Sequence, residues 1–97
     1  MYTLTEALFV SDFDALPRGD QKIISMLIRK ISNKQGLKKG DFKDHILTKG
    51  PFKGCHDCHP FVNSGNDHYV LIYEIKRSKL IFKRVNTHKI LKLSEIK

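Results

Sequence analysis

Long apolar runs are missing from this sequence, as are internal repeats and low-complexity tracts. No stretch approaches the roughly 20 consecutive apolar residues of a membrane-crossing helix, so no membrane partner is expected. The N-terminal stretch lacks the basic, apolar and small-residue zones of a secretory signal, which makes a cytoplasmic location the expectation. Cysteine is scarce, at two residues, and in a reducing cytoplasm that argues against a structural disulfide. A length of 97 residues leaves little room for a second domain, so residues 1–97 are read as one. Acidic side chains are the other shortage. Ten Asp and Glu stand against 18 Lys and Arg, and the net charge of +8 favours a polyanionic partner such as nucleic acid or an acidic protein.

The surplus is uneven. Residues 38–97 hold 13 of the basic side chains and six of the acidic ones, and all five histidines as well: His45, His56, His59, His68 and His88. A lone surface lysine usually serves only solubility, but this concentration of cations beside every histidine calls for a chemical reading.

The pattern of apolar residues predicts an α+β fold. Tyr2 to Leu4 suits an edge strand, and Ser11 to Leu16 suits one or two helical turns ended by Pro17. A longer helix then starts with Asp20 as N-cap. Its stripe of Ile23, Ile24, Leu27, Ile28 and Ile31 is core by its spacing, and Gly36 closes it. Residues 37–51 read as a Gly- and Lys-rich loop with a short strand at Ile46 and Leu47. Strands are then expected over Phe52 to His59, Tyr69 to Ile75 and Leu80 to Val85, paired as an antiparallel meander. The run Tyr69-Val70-Leu71-Ile72-Tyr73 is apolar on both faces, as a central strand would be.

Such a meander brings together strand ends that carry His59, His68, Arg84 and His88. Imidazole, with an unperturbed pKa of about 6.5, can take or give a proton near neutrality, and guanidinium forks onto phosphate oxygens. Metal-free RNA cleavage needs those groups: a base for the 2'-hydroxyl, an acid for the leaving 5'-oxygen and cations for the phosphorane. Any one histidine alone is more often a surface or structural residue; their joint placement favours catalysis.

The order Lys43-Asp44-His45, Gly50, Lys53-Gly54, Asp57, His59, then Leu71-Ile72-Tyr73, Arg84 and Thr87-His88 resembles the YafQ branch of the RelE/ParE superfamily of bacterial toxins. The match covers residues 43–91. The resemblance implies a RelE-like, microbial RNase-like fold in which two N-terminal helices pack on a small, mainly antiparallel sheet. It also implies a single toxin domain that cuts messenger RNA in the ribosomal A site without metal or other cofactor, and an antitoxin partner encoded alongside. An antitoxin should be more acidic than this chain, and no DNA is expected to bind the toxin alone. On matching positions the catalytic histidines fall on His45, His59 and His88 and the phosphate-stabilising arginine on Arg84, with His88 as acid and His45 or His59 supporting proton removal.

Two departures are visible. Counting back from Leu71 puts His68 at the family's carboxylate position and Tyr69 at its aromatic, with Asp67 one residue earlier, so either Asp67 or His68 takes the catalytic place. The family's aromatic near the C-terminus is Lys92 here, which leaves base stacking to Tyr69 or Phe82. Lys43, Lys53, Lys83 and Lys92 are expected on the RNA backbone.

Cys55-His56-Asp57-Cys58-His59 spells a c-type haem attachment pattern and invites a zinc reading, yet haem would need export and zinc two further ligands. In a strand Cys55 and Cys58 face opposite sides. No metal is therefore expected, and His56, which faces away from His59, is assigned to the surface or to RNA docking. The rival reading is a non-enzymatic toxin on the same fold, such as a gyrase inhibitor, which would need no histidine cluster.

Overall fold

A computed structural model describes residues 2–34, 36–61 and 69–91. Within them strand β1 (Tyr2–Thr5) leads into helices α1 (Ala7–Asp14) and α2 (Arg18–Lys34); β2 (His45–Ile46), β3 (His56–Cys58), β4 (Tyr69–Lys76), β5 (Lys79–Thr87) and the short helix α3 (His88–Leu91) follow. The sheet order is β1-β5-β4-β3-β2. β2 to β5 form the expected antiparallel meander, while β1 joins β5 in parallel, so the sheet is mixed. Among the described residues no helix is long and apolar enough to cross a membrane.

Several boundaries differ from the sequence reading. α1 starts four residues earlier than Ser11, because Phe9 and Phe13 lie one turn apart and both turn inward, their rings 6.1 Å apart. α2 starts at Arg18, immediately after Pro17, so Asp20 lies in the first turn, where its charge suits the helix dipole, and is not the cap. Of the predicted stripe, Ile24, Leu27 and Ile31 are buried and Ile23 is exposed. Gly36 does close the helix: its N–H bonds the Ile31 carbonyl at φ +115°, and a Cβ there would stand 2.7 Å from Ile75. β3 keeps only the last part of the expected Phe52–His59 strand. Before it the backbone turns through Gly50 and Gly54, both at positive φ, and Leu47 and Cys55 bond across that loop.

β4 is central, and both its faces are dry. On the helix side Leu71 and Tyr73 pack with Phe9, Leu16, Ile24, Leu27, Ile31, Leu80, Phe82 and Val85. On the other side Val70 and Ile72 pack with Cys55 and Leu91, flanked by Leu47 and Phe52. Cys55 and Cys58 are both free and lie in different clusters, as strand alternation requires.

One irregularity decides what the second face carries. Between Ile72↔Arg84 and Tyr73↔Phe82 the register shifts, leaving Lys83 as an extra residue in β5. Residues two apart in a strand normally share a face; the bulge breaks that rule, keeping Phe82 on the helix side and sending Arg84 to the other.

Candidate active site

Cross-strand partners share a face, so the register reads directly as a row of side chains: His45 on β2, Asp57 on β3, Ile72 on β4 and Arg84 on β5, all on the face away from the helices. His45 is half exposed, with Nδ1 3.0 Å from the Lys43 carbonyl and Nε2 3.9 Å from Asp57 Oδ2. Asp57 is buried, and its Oδ1 lies 3.5 Å from His59 Nε2. The His59 ring in turn meets the His88 ring, with centroids 5.1 Å apart. Imidazole, carboxylate, imidazole and imidazole thus follow one another at ion-pair and ring-contact distances.

The turn that delivers His45 is strained. Phe42 and Lys43 both take left-handed φ, 52° and 58°, without being glycine, at about 1–2 kcal/mol each. Three contacts hold the turn: the Phe42 carbonyl accepts the His59 N–H at 2.7 Å, the Phe42 ring packs on the core, and Lys30 Nζ sits 5.0 Å above that ring. Strain retained at such a point is often tied to a site, and here it aims the residue that follows Asp44.

Arg84 reaches the shared face but is clamped. Its Nε and Nη2 donate to Asp12 at 2.6 and 2.9 Å. The same carboxylate accepts from the Asn86 amide and from the Val85 backbone N–H, which β1 leaves unpaired because its pairing with β5 stops at Phe82. Burial alone would raise the Asp12 carboxyl, yet the donors from Arg84, Val85 and Asn86 outweigh it and hold it below its ordinary value; Asp12 keeps the guanidinium charged in return.

Behind the row lies a second network. Asp44 is buried and accepts from the Tyr73 hydroxyl and from His56 Nδ1 at 2.8 Å, while the His56 ring stacks on Tyr73 at 4.6 Å and 10°. The Leu37 N–H donates to the Tyr73 oxygen at 3.2 Å. Burial first, then the bond to Asp44, pushes the Tyr73 phenol far above its usual range, and burial with Asp44 and Asp57 nearby does the same to the Cys58 thiol.

Of the residues singled out from sequence, His45, His59, His88 and Arg84 share this face. Lys43 and Lys53 are exposed on loops beside it. Three expectations are corrected. Phe82 is fully buried against Phe9 and Tyr73 because the bulge keeps it on the helix side, so it cannot stack on a base. Lys83 is paired with Glu6 at 3.1 Å and Glu74 at 3.6 Å and so is not a ready contact for RNA. His56 is bonded to Asp44 with its side chain 18% exposed, so of the surface and RNA-docking alternatives the freely exposed surface position gives way and RNA docking is left open. Tyr69 lies edge-on to Phe61 against the helix-side core. Asp67, His68 and Lys92 lie outside the described residues. Two carboxylates were given no role from sequence. Asp57 stands two residues from both Cys55 and His59 in a strand and so shares their face, and Asp12 falls one turn from both Phe9 and Leu16 on the buried side of its segment; each was a signal. Among the described residues no group of three His, Cys, Asp or Glu side chains is arranged to hold a metal ion.

Two N-terminal helices on a mixed five-stranded sheet, with this histidine-bearing face, define a RelE-like toxin fold. The fold matches the RelB–RelE antitoxin–toxin complex from Methanococcus jannaschii at TM-score 0.68 and 19% identity, over 92% of this chain and 94% of that one. Residues 6–93 match the family of the YafQ bacterial toxin of type II toxin–antitoxin systems, and the chain belongs to that family. A mutant of E. coli YafQ superposes at TM-score 0.75 with 23% identity, and the toxin of the E. coli DinJ–YafQ complex at 0.73 with 24%, each over 92% of this chain and 94% of the other. No curated protein sequence matches significantly.

Proposed function

We propose that this toxin is an endoribonuclease that cuts messenger RNA in the ribosomal A site and so stops translation in the cytoplasm. The succession from His45 through Asp57 and His59 to His88 on the face away from the helices carries the reading. Near neutrality imidazoles supply both the base that takes the 2'-hydroxyl proton and the acid that protonates the 5'-oxygen. His88 is the acid. His45 or His59 takes the proton, and the buried Asp57 orients both rings and stabilises the imidazolium that forms. Arg84, held by Asp12 through Nε and Nη2, has its remaining guanidinium edge for the phosphorane oxygens. Lys43 and Lys53 flank the face for the RNA backbone. None of these steps draws on a cofactor.

The family and the DinJ–YafQ and RelB–RelE complexes support an antitoxin partner for this chain. Against a net charge of +8, an acidic antitoxin would associate quickly and neutralise the cations that dock the toxin on the ribosome.

Primer extension on a translated message tests the reading. Expression should produce breaks within translated codons, and His88→Ala and His59→Ala should each reduce them by about 10²- to 10⁴-fold while far-UV and near-UV circular dichroism stay unchanged. Blocked replication with intact messages would replace the ribonuclease by a gyrase-type toxin.

A further inference from the structure

Beside β2 opens a cavity of about 330 Å3 lined by Leu37, Lys39, Asp44, His45, Ile46 and His56. The catalytic roles proposed above use only one of these, His45, whose Nε2 lies 3.9 Å from Asp57; the cavity therefore shares a wall with the candidate active site. Its polar wall is rigidly built. Asp44 is 3% exposed and fixes His56 through Nδ1, and Tyr73 backs the imidazole ring at 4.6 Å. With Nδ1 held by Asp44, Nε2 is the remaining hydrogen-bonding atom of the His56 ring. Leu37 and Ile46 add apolar surface, and exposed Lys39 adds a cation. Apolar walls, one ring nitrogen held in place and one cation together match a nucleobase carried on a phosphate. The volume, near the lower end of the roughly 300–1,000 Å3 found for small-molecule sites, suits a single base with part of its ribose.

We propose that this cavity is a nucleobase subsite for the nucleotide next to the scissile phosphate, in which His56 reads the base edge and Lys39 holds the adjoining phosphate. The proposal rests on the ribonuclease reading of the neighbouring face and gives it a source of sequence preference. When Nε2 accepts, it favours bases with an amino edge over uracil.

The test is a titration of full-length protein with AMP, CMP, GMP and UMP, followed by NMR of the histidine side chains and of the backbone around Lys39. The His56 resonances should move, and the amino-bearing bases should bind about three- to tenfold more tightly than UMP. His56→Phe keeps a flat ring without nitrogen and should erase that preference; Lys39→Ala should weaken all four nucleotides. Ile46 is 56% exposed, so Ile46→Trp fills the cavity without disturbing the core and should abolish binding. In the primer-extension assay His56→Phe should redistribute the codons that are cut. Nucleotides that leave His56 unmoved, or that bind Ile46→Trp as well as wild type, overturn the subsite. Binding needs no cleavage. His56-dependent binding by a chain that breaks no message keeps the pocket and rejects the ribonuclease, whereas breaks without His56-dependent binding reject the pocket alone.

Discussion

Asp44 and His45 are consecutive, as are His56 and Asp57, and the two strands that carry them run antiparallel. Alternation therefore puts one Asp–His pair on each face of the same short ladder. The pair on the helix side is closed: Asp44 and His56 meet at 2.8 Å, with Tyr73 hydrogen-bonded to one and stacked on the other. The outer pair is loose, with His45 and His59 3.9 and 3.5 Å from Asp57 and the His45 side chain 48% exposed. Identical residue types thus serve opposite ends. Where the carboxylate is hydrogen-bonded on both oxygens, an Asp–His pair helps to fix a fold; where it stands at longer range from two imidazoles, one exposed and one buried, the pair is left for the proton transfer proposed above.

The sharpest way to break that comparison is to damage each face and ask what fails. Asp57→Asn on the outer face should lower messenger-RNA cleavage by about 10²- to 10⁴-fold, with a urea midpoint close to wild type. Phe82→Ala on the helix side should do the reverse. Loss of this fully buried ring costs about 3–5 kcal/mol, read as a lower urea midpoint, while the folded fraction still cuts. Tyr73→Phe is subtler. It leaves the ring stacked on His56 but strips a donor from buried Asp44, and a cost of about 1–3 kcal/mol is expected in the same measurement. If Asp57→Asn destabilises more than Tyr73→Phe, the division of labour between the faces is wrong.

The smallest effect is on acid stability. The Asp12 carboxyl is held below its ordinary 3.8, so the stability it adds is complete above that pH and is lost as pH falls through the lower folded value. Thermal melts should show Asp12→Asn less stable than wild type at pH 6, with the gap closing in the most acidic buffers in which the wild type still folds. A constant gap from pH 6 downward would mean that Asp12 matters by packing alone.

Element types were legible from periodicity: the apolar stripe of α2 and the doubly apolar β4 needed only spacing. Their limits were less so. Phe52 and Cys55 suggested a strand that begins at Phe52, but Gly50 and Gly54 at positive φ turn that segment back onto Leu47. The parallel docking of β1 on β5 is a long-range pairing that no local pattern records. At the site, residue type and order were enough to single out His45, His59, His88 and Arg84, which the structure brings to one face; the roles given to them are proposals. Phe82 and Lys83 were misread because a single-residue bulge has no signature in an unbroken run such as Leu80-Ile81-Phe82-Lys83-Arg84. Once that bulge is known, the opposite facings of Phe82 and Arg84 follow.

The Asp12 carboxylate also has a consequence for association between copies. Where β1 stops, β5 would present a bare hydrogen-bonding edge, the kind of surface on which one chain recruits a strand from another. An anion seated on the Val85 N–H, and locked there by Arg84, plugs that edge. Replacing Arg84 to test its proposed role therefore also loosens the plug, and such a variant should be checked for oligomers before any loss of activity is read as loss of chemistry.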